Sequence, residues 1–242
     1  MKHIVSFSGG KDSTAMVLKM IEHNYAIDEL VYFDCGWEWP QVQQTVQDVA
    51  AYTGLPLTVV RPEQSFEWWM YEKPCAIGLG KGWPRFNLRW CTGLKQDTIR
   101  KYLKDKKPYL NYIGITADEA SWRLNKPKSN YRYPLVELGI TEKECLQICY
   151  KHGFTWDGLY NYMDSTSCWC CPLQPLRSLK NLYINFPDLW EKLTQMAART
   201  PTPFKIKGGG KIEGRGIFIP ELEARFKAEI EKEKGQTKLP AL

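Results

Sequence analysis

The sequence predicts an α/β protein: a parallel five-stranded sheet with helices on both faces, followed by a small helical C-terminal region. Two observations predict it. Short apolar runs alternate with stretches of helical apolar spacing in β-α-β-α-β order over the first sixty residues, which calls for parallel strands joined by right-handed crossovers. From Cys168 the pattern changes, and Pro172, Pro175 and Pro187 allow only short helices up to about Met196. The expected division is 1–165 for the α/β domain and 166–242 for the cysteine-bearing segment and helical C-terminal region.

The elements follow in order. His3 to Phe7 reads as a buried strand, and Lys11 to Asn24 as a helix with Ala15, Val17, Leu18 and Ile21 on its apolar side. Glu29 to Cys35 is the second strand. Trp39–Pro40 opens a helix that runs to about Tyr52, with proline suited to a first turn and Gly54 ending it. Pro56 to Val60 is the third strand, Ser65 to Tyr71 a short helix, and Lys73 to Arg89 a loop rich in glycine and proline. Thr92 to Lys104 returns to helix. Leu110 to Ile115 and Tyr131 to Leu135 are the fourth and fifth strands, with irregular chain at Ala117 to Asn130. Thr141 and Glu144 form a capping box for a helix reaching His152. Gly208 to Gly216 reads as flexible, with a coincidental protease-site string at Ile212 to Arg215. A charged helix at Pro220 to Lys234 precedes the tail.

Composition is that of a globular protein, 43% hydrophobic and 25% charged, and no apolar run is long enough to span a membrane. The start carries no signal-peptide layout, so a cytoplasmic protein is expected. A formal charge of +6 suits a phosphate-rich partner. Among ten tryptophans, Trp83, Trp90 and Trp122 lie beside Arg85, Arg89 and Arg123, pairs that would stack on bases; the competing reading buries most of them. Eight cysteines in such a chain argue for metal or catalytic use where they cluster, and for buried small hydrophobes at Cys35, Cys145 and Cys149.

The sharpest local signal is Ser8-Gly9-Gly10-Lys11-Asp12-Ser13. A strand that hands over to a helix through two glycines exposes amides that lack intrahelical partners, at the positive end of the helix dipole. Glycine lets the backbone approach a ligand closely. Lys11 adds a cation, and Ser8 and Ser13 add hydroxyls, so the turn is an anion cradle. Walker A spacing and the Gly-x-Gly-x-x-Gly fingerprint are both absent. The segment resembles the PP-loop of ATP pyrophosphatases, enzymes of a Rossmann-like, adenine nucleotide alpha hydrolase-like fold that split ATP between its α- and β-phosphates. Tyr32 to Pro40, Arg89 to Leu103, Gly114 to Arg123 and Leu159 to Pro172 resemble, in order, segments of the PAPS reductase family within that superfamily. Cys35 departs from the family's usual threonine.

The resemblance implies roles. Ser8, Gly9, Gly10, Lys11, Asp12 and Ser13 would hold the triphosphate of ATP, with Lys11, Asp12 and Ser13 as catalytic residues. Asp34 would lie near the nucleotide. Glu38 would orient Mg²⁺ or ribose, or instead cap the following helix. Glu119 and Arg123 would border the phosphates, or instead form an i,i+4 ion pair. Arg89 and Lys95 would bind phosphate or be solvated.

Cys168-Trp169-Cys170-Cys171 places two thiols at Cys-x-x-Cys spacing, which one turn presents to one metal centre, and Cys91 would add a third. Zinc and iron–sulfur clusters both use such sets. With the family, the expectation is a [4Fe–4S] cluster on Cys91, Cys168, Cys170 and Cys171, with Cys75 as the substitute for Cys170 and Zn²⁺ as the alternative metal. Sulfonucleotide reductases of the family attack with a C-terminal cysteine. No cysteine follows Cys171 here, so the expected chemistry is instead adenylylation of a substrate for sulfur transfer, as in relatives that thiolate transfer RNA or DNA. The implied partners are a nucleic acid (tRNA or DNA) and a cysteine desulfurase or other persulfide donor, with homo-oligomers possible and no membrane. The alternatives are a reductase, a standalone nucleotide hydrolase, or a non-catalytic nucleotide-binding subunit with a structural metal.

Overall fold

A parallel sheet runs through the first half of the chain in the order β3-β2-β1-β4-β5. The structure, a computed structural model, describes residues 1–76, 78–125, 129–206 and 216–236. Its strands and helices are β1 (Lys2–Phe7), α1 (Lys11–Glu22), β2 (Glu29–Phe33), α2 (Pro40–Thr53), β3 (Leu57–Val60), α3 (Trp90–Lys104), β4 (Tyr109–Ile113), β5 (Tyr131–Arg132), α4 (Pro134–Glu137) and α5 (Glu142–Lys151). Each neighbouring pair is parallel; Ile4 pairs with Glu29 on one side of β1 and with Asn111 on the other. Such pairing demands crossovers, and the apolar runs supply strands buried on both faces. β2 is buried at all five positions.

Strand order fixes where the helices go. β1, β2 and β3 step one way along the sheet, so right-handed crossovers put α1 and α2 on one face. The chain then returns past β1 to β4, so α3 covers the other. On that face Leu103 closes over Ile4 and Val31, with Val60, Ile99, Tyr102 and Tyr109 around them. On the opposite face α1 packs against α5 through Ala15, Met16, Cys145 and Cys149. The direction of stepping reverses between β1 and β4, which makes their C-terminal ends a topological switch point.

Local signals act as their chemistry requires. Pro40 stands in the first turn of α2, and Gly54 closes it in the left-handed region at φ 66°. Both halves of the Thr141–Glu144 capping box are formed. The fifth strand is shorter than the sequence predicts, ending at Arg132, because Pro134 cannot donate to a ladder and is suited to start α4. α3 starts at Trp90 rather than Thr92, which places Cys91 in its first turn. The expected loop at Lys73 to Arg89 contains a small hairpin, Pro74–Cys75 against Gly78–Leu79. Most of the segment Gly208 to Gly216, with the string at Ile212 to Arg215, and the tail beyond 236 lie outside the described residues.

The chain forms two compact units. The first is Met1–Glu63 with Gly93–Asn161; the second is Gln64–Thr92 with the chain from Tyr162 onward. The sequence places all of 1–165 in the first domain, whereas Gln64–Thr92 sits in the second unit. That unit has helices at Phe66–Tyr71, Leu176–Asn185, Pro187–Ala198 and Ile219–Gln236. Leu179, Leu182, Leu193 and Leu222 fill its core beside a Tyr183–Trp190–Phe226 aromatic cluster. No helix among the described residues is long and apolar enough to cross a membrane.

Candidate nucleotide site and cysteine cluster

The glycine turn sits at the C-terminal end of β1, on the switch point. Gly9 has φ +74°, and a Cβ there would lie 2.5 Å from Val46 Cγ2 and 3.0 Å from Val42 Cγ1. Only glycine meets both demands. Gly114, which follows β4, has room for no more: a Cβ would lie 3.2 Å from the Ser13 backbone. The loop after β4 is thereby held against the first turn of α1.

Within the turn, Ser8 N donates to Ser13 Oγ at 3.2 Å, and Ser13 Oγ donates to Gly10 O at 3.1 Å. Thr14 N makes the first helical bond, to Gly10 O at 3.0 Å. Lys11 N donates to the Tyr160 hydroxyl at 2.8 Å, and Trp156 Nε1 donates to Gly9 O at 2.8 Å. Gly10, Asp12 and Ser13 therefore carry the remaining first-turn amides that the helix leaves without internal acceptors.

Charge gathers at the same place. Lys11 is 8% exposed, and its ammonium donates to Glu142 Oε1 at 2.6 Å and lies 3.5 Å from Asp12 Oδ1. Burial pulls this ammonium down, but Asp12, Glu142 and Tyr160 outweigh burial and hold it above the ordinary lysine value. Burial pushes Asp12 up to about 6; Lys11 opposes the shift, and Glu142 and Glu119 add to it. Two carboxylates, Asp12 and Glu142, thus share one lysine.

The other expected residues are placed as follows. Glu119 and Arg123 form the i,i+4 ion pair, with Arg123 Nη1 3.0 and 3.1 Å from the two carboxylate oxygens. Glu119 also accepts from Thr116 Oγ1 at 3.3 Å and is near enough to act on Asp12. Asp34 closes a turn by accepting from Gly36 N at 2.9 Å and holds Arg61 at 2.8 Å. A cleft of about 370 Å³ opens there, lined by Tyr32, Asp34, Gln43, Gln47 and Arg61 among others. Glu38 does not cap α2, whose N-cap is Trp39 with no side-chain bond; its carboxylate accepts from Cys35 Sγ at 3.4 Å. Burial raises Glu38, and Lys95 opposes.

Sequence reasoning missed Glu142, Tyr160, Trp156 and Arg61. Glu142 was legible only as the first residue of a capped helix; its partner Lys11 lies 131 positions away. Of the tryptophans, Trp83 and Trp90 are buried at 1% and 7% exposure, which overturns base stacking by those two pairs, while Trp122 is 64% exposed beside Arg123.

The cysteine cluster belongs to the second unit. None of the eight cysteines is in a disulfide. Cys168 to Cys171 forms a turn closed by Cys171 N donating to Cys168 O at 3.0 Å. Gln174 Nε2 braces it by donating to Cys168 O and Trp169 O at 3.0 and 2.9 Å, and Lys205 Nζ donates to Pro172 O and Gln174 O at 2.8 and 2.7 Å. Burial pushes the Cys171 thiol up, Cys91 adds to the shift, and Lys205 and Arg89 pull it down. Cys91 and Cys171 are therefore neighbours. Cys170 is 1% exposed and near enough to Tyr71 to add to the rise of that phenol, which burial leads to about 12. Cys75 Sγ donates to Gly78 O and Gly80 O, both at 3.3 Å. Cys145 and Cys149 are fully buried against α1, and Cys149 Sγ donates to Lys11 O at 3.3 Å.

Comparison with known proteins identifies the family. Residues 2–172 match the phosphoadenosine phosphosulfate reductase domain family. An uncharacterized protein of Methanocaldococcus jannaschii is 24% identical over 78% of this chain, and an uncharacterized nin region protein of Escherichia phage lambda is 33% identical over 62%. The matches span 40% and 59% of those two proteins, so the chain covers about half the length of its curated relatives. A crystal structure from M. jannaschii, titled as a predicted subunit of tRNA methyltransferase, aligns with 63% of this chain and 88% of its own at 16% identity and a TM-score of 0.33. The chain belongs to the phosphoadenosine phosphosulfate reductase domain family, a family of ATP pyrophosphatase-type enzymes with the adenine nucleotide alpha hydrolase-like fold.

Proposed function

We propose that the protein cleaves ATP between the α- and β-phosphates to adenylylate a nucleic acid, transfer RNA or DNA, for sulfur incorporation. The observation that carries this reading is the convergence, at the sheet's switch point, of the Ser8–Ser13 turn with Lys11, Asp12, Glu119 and Glu142. Amides of Gly10, Asp12 and Ser13 and the Lys11 ammonium take the β- and γ-phosphates and stabilise the departing pyrophosphate. An oxygen of the acceptor attacks the α-phosphorus, the α–β bond breaks, and pyrophosphate leaves with the bonding electron pair. Asp12 would contribute to holding Mg²⁺, which when bound neutralises phosphate charge. Asp34 and the cleft beside it receive the nucleoside.

Cys91, Cys168 and Cys171 suit a soft metal centre as thiols in one unit, with the turn braced from both sides. They would hold a [4Fe–4S] cluster, which when bound supplies sulfur-transfer chemistry; Cys170 is the candidate fourth ligand. The terminal sulfur of a persulfide donor such as a cysteine desulfurase attacks the activated acceptor, AMP leaves with the bonding electron pair, and a second thiol cleaves the resulting disulfide, becoming oxidised as the thiolated acceptor is released. A nucleotide-binding subunit without turnover is the reading favoured by Glu142's hold on Lys11. Chromatography of the products formed from ATP in the presence of transfer RNA or DNA tests the proposal. AMP and pyrophosphate are expected; ADP with phosphate, or no turnover at saturating ATP, contradicts it.

A further inference from the structure

We infer that the hairpin tip at Phe86–Asn87 is where an unpaired nucleic-acid strand docks. The inference rests on the reading of nucleic acid as the acceptor and names the surface that receives it. Arg85 and Leu88 pair through Arg85 N to Leu88 O at 3.2 Å and Leu88 N to Arg85 O at 3.0 Å, so Phe86 and Asn87 form a two-residue tip. Phe86 is 57% exposed and Leu88 48%. The Arg89 guanidinium already lies over the Phe86 ring, 4.8 Å from its centroid.

The tip stands on a rigid base. Trp83 is buried against Phe204 with ring centroids 4.9 Å apart, and its amide donates to Thr202 Oγ1 at 3.3 Å. Gly82 has φ +62°, and a Cβ there would run into Thr202. On the other side Trp90 Nε1 donates to Gly82 O at 3.1 Å, and the ring stacks on Trp69. Two tryptophans anchor the feet of the turn while the phenylalanine between them is left in water. Together with Leu88, the exposed Phe86 ring leaves an apolar contact surface on this turn.

Charge selects the partner. From Lys73 to Gln96 the sequence has five cations (Lys73, Lys81, Arg85, Arg89 and Lys95) and no acid. A protein partner would need a matching acidic face; a phosphate backbone offers one by its nature. An exposed aromatic with a guanidinium on it stacks any base, and only an unstacked base presents its face to such a tip. Arg89 is also close enough to act on the Cys171 thiol, which puts the docked strand beside the cysteine cluster.

Fluorescence anisotropy with a short labelled single strand, its duplex form, and calorimetry with ATP on the same proteins test this. Phe86→Ala is expected to bind the single strand about tenfold more weakly, the loss of one stacked base, with ATP binding unchanged. Phe86→Trp should retain affinity, Arg89→Ala should lose it, and the duplex should bind more weakly than the strand. Wild-type affinity in both Phe86→Ala and Arg89→Ala overturns the docking surface and leaves the acceptor reading intact. A wild-type protein that binds ATP but no nucleic acid overturns both and assigns the tip to a protein partner. If Phe86→Ala fails a circular-dichroism check of folding, Arg89→Ala and Phe86→Trp decide.

Discussion

Lys11 carries more of the site than any other residue, and the structure shows how strongly it is contested. Glu142 holds its ammonium at 2.6 Å, so an incoming phosphate competes with a carboxylate for the same donor. Glu142→Gln removes that competitor, and ATP should bind about fivefold more tightly by calorimetry, the scale of one partly exposed ion pair. Asp12 gives a second prediction. Its folded value of about 6 lies above the ordinary 3.8, so the native state favours the protonated acid. The stabilisation is complete below about pH 4 and is lost as pH rises through about 6. Asp12→Asn should therefore be more stable than wild type at pH 7, by about 1–2 kcal/mol once solvent screening is discounted, and the gap in melting temperature should close below pH 4. The glycine turn that carries Lys11, Asp12 and Ser13 could be read in the sequence because it lies in six consecutive residues between a strand and a helix. Glu142 and Tyr160 could not, because each meets the turn only through the packing of α1 against distant chain.

Elements turn that short motif into a site. The strand order β3-β2-β1-β4-β5 reverses direction between β1 and β4, and both loops at that point, Ser8–Ser13 and Gly114–Glu119, are pinned by glycines. Gly9→Ala forces a Cβ into Val42 and Val46 at a left-handed backbone position. It should lower unfolding free energy by about 2–4 kcal/mol in denaturant titration. Gly54→Ala is the control: at φ +66° its Cβ would meet nothing within 4 Å, so the loss should be about 1 kcal/mol, from the backbone alone. Equal losses would remove the case for close packing at Gly9. Most elements were readable from apolar spacing and caps; the Thr141–Glu144 box and the Pro40 start fall where expected. The fifth strand was overextended because its β-forming residues Tyr131 and Tyr133 obscured what Pro134 does to a ladder.

At the scale of the whole molecule, the sheet-bearing unit carries the glycine turn, and the second unit carries Cys75, Cys91, Cys168, Cys170 and Cys171. The sequence suggests a boundary near 165 from a change in composition, while the compact units divide after Asn161. The membership of Gln64–Thr92 in the second unit was not visible in the sequence, since it is set by contacts such as Trp83 with Phe204. That membership brings Cys91 into the unit of Cys168 and Cys171. Anaerobically purified protein should be brown, with iron lost from Cys91→Ala, Cys168→Ala and Cys171→Ala, and reduced in Cys170→Ala as expected for the fourth ligand. Zinc with no iron in the wild type would contradict the cluster. The most direct test of the central claim, that the turn after β1 grips the ATP tail, is calorimetric titration of ATP with Mg²⁺ into wild type and Lys11→Ala. Binding in the wild type, and its loss or severe weakening in a variant that keeps the wild-type melting profile, is the predicted result. Undiminished binding by folded Lys11→Ala, or no heat with the wild type, contradicts it.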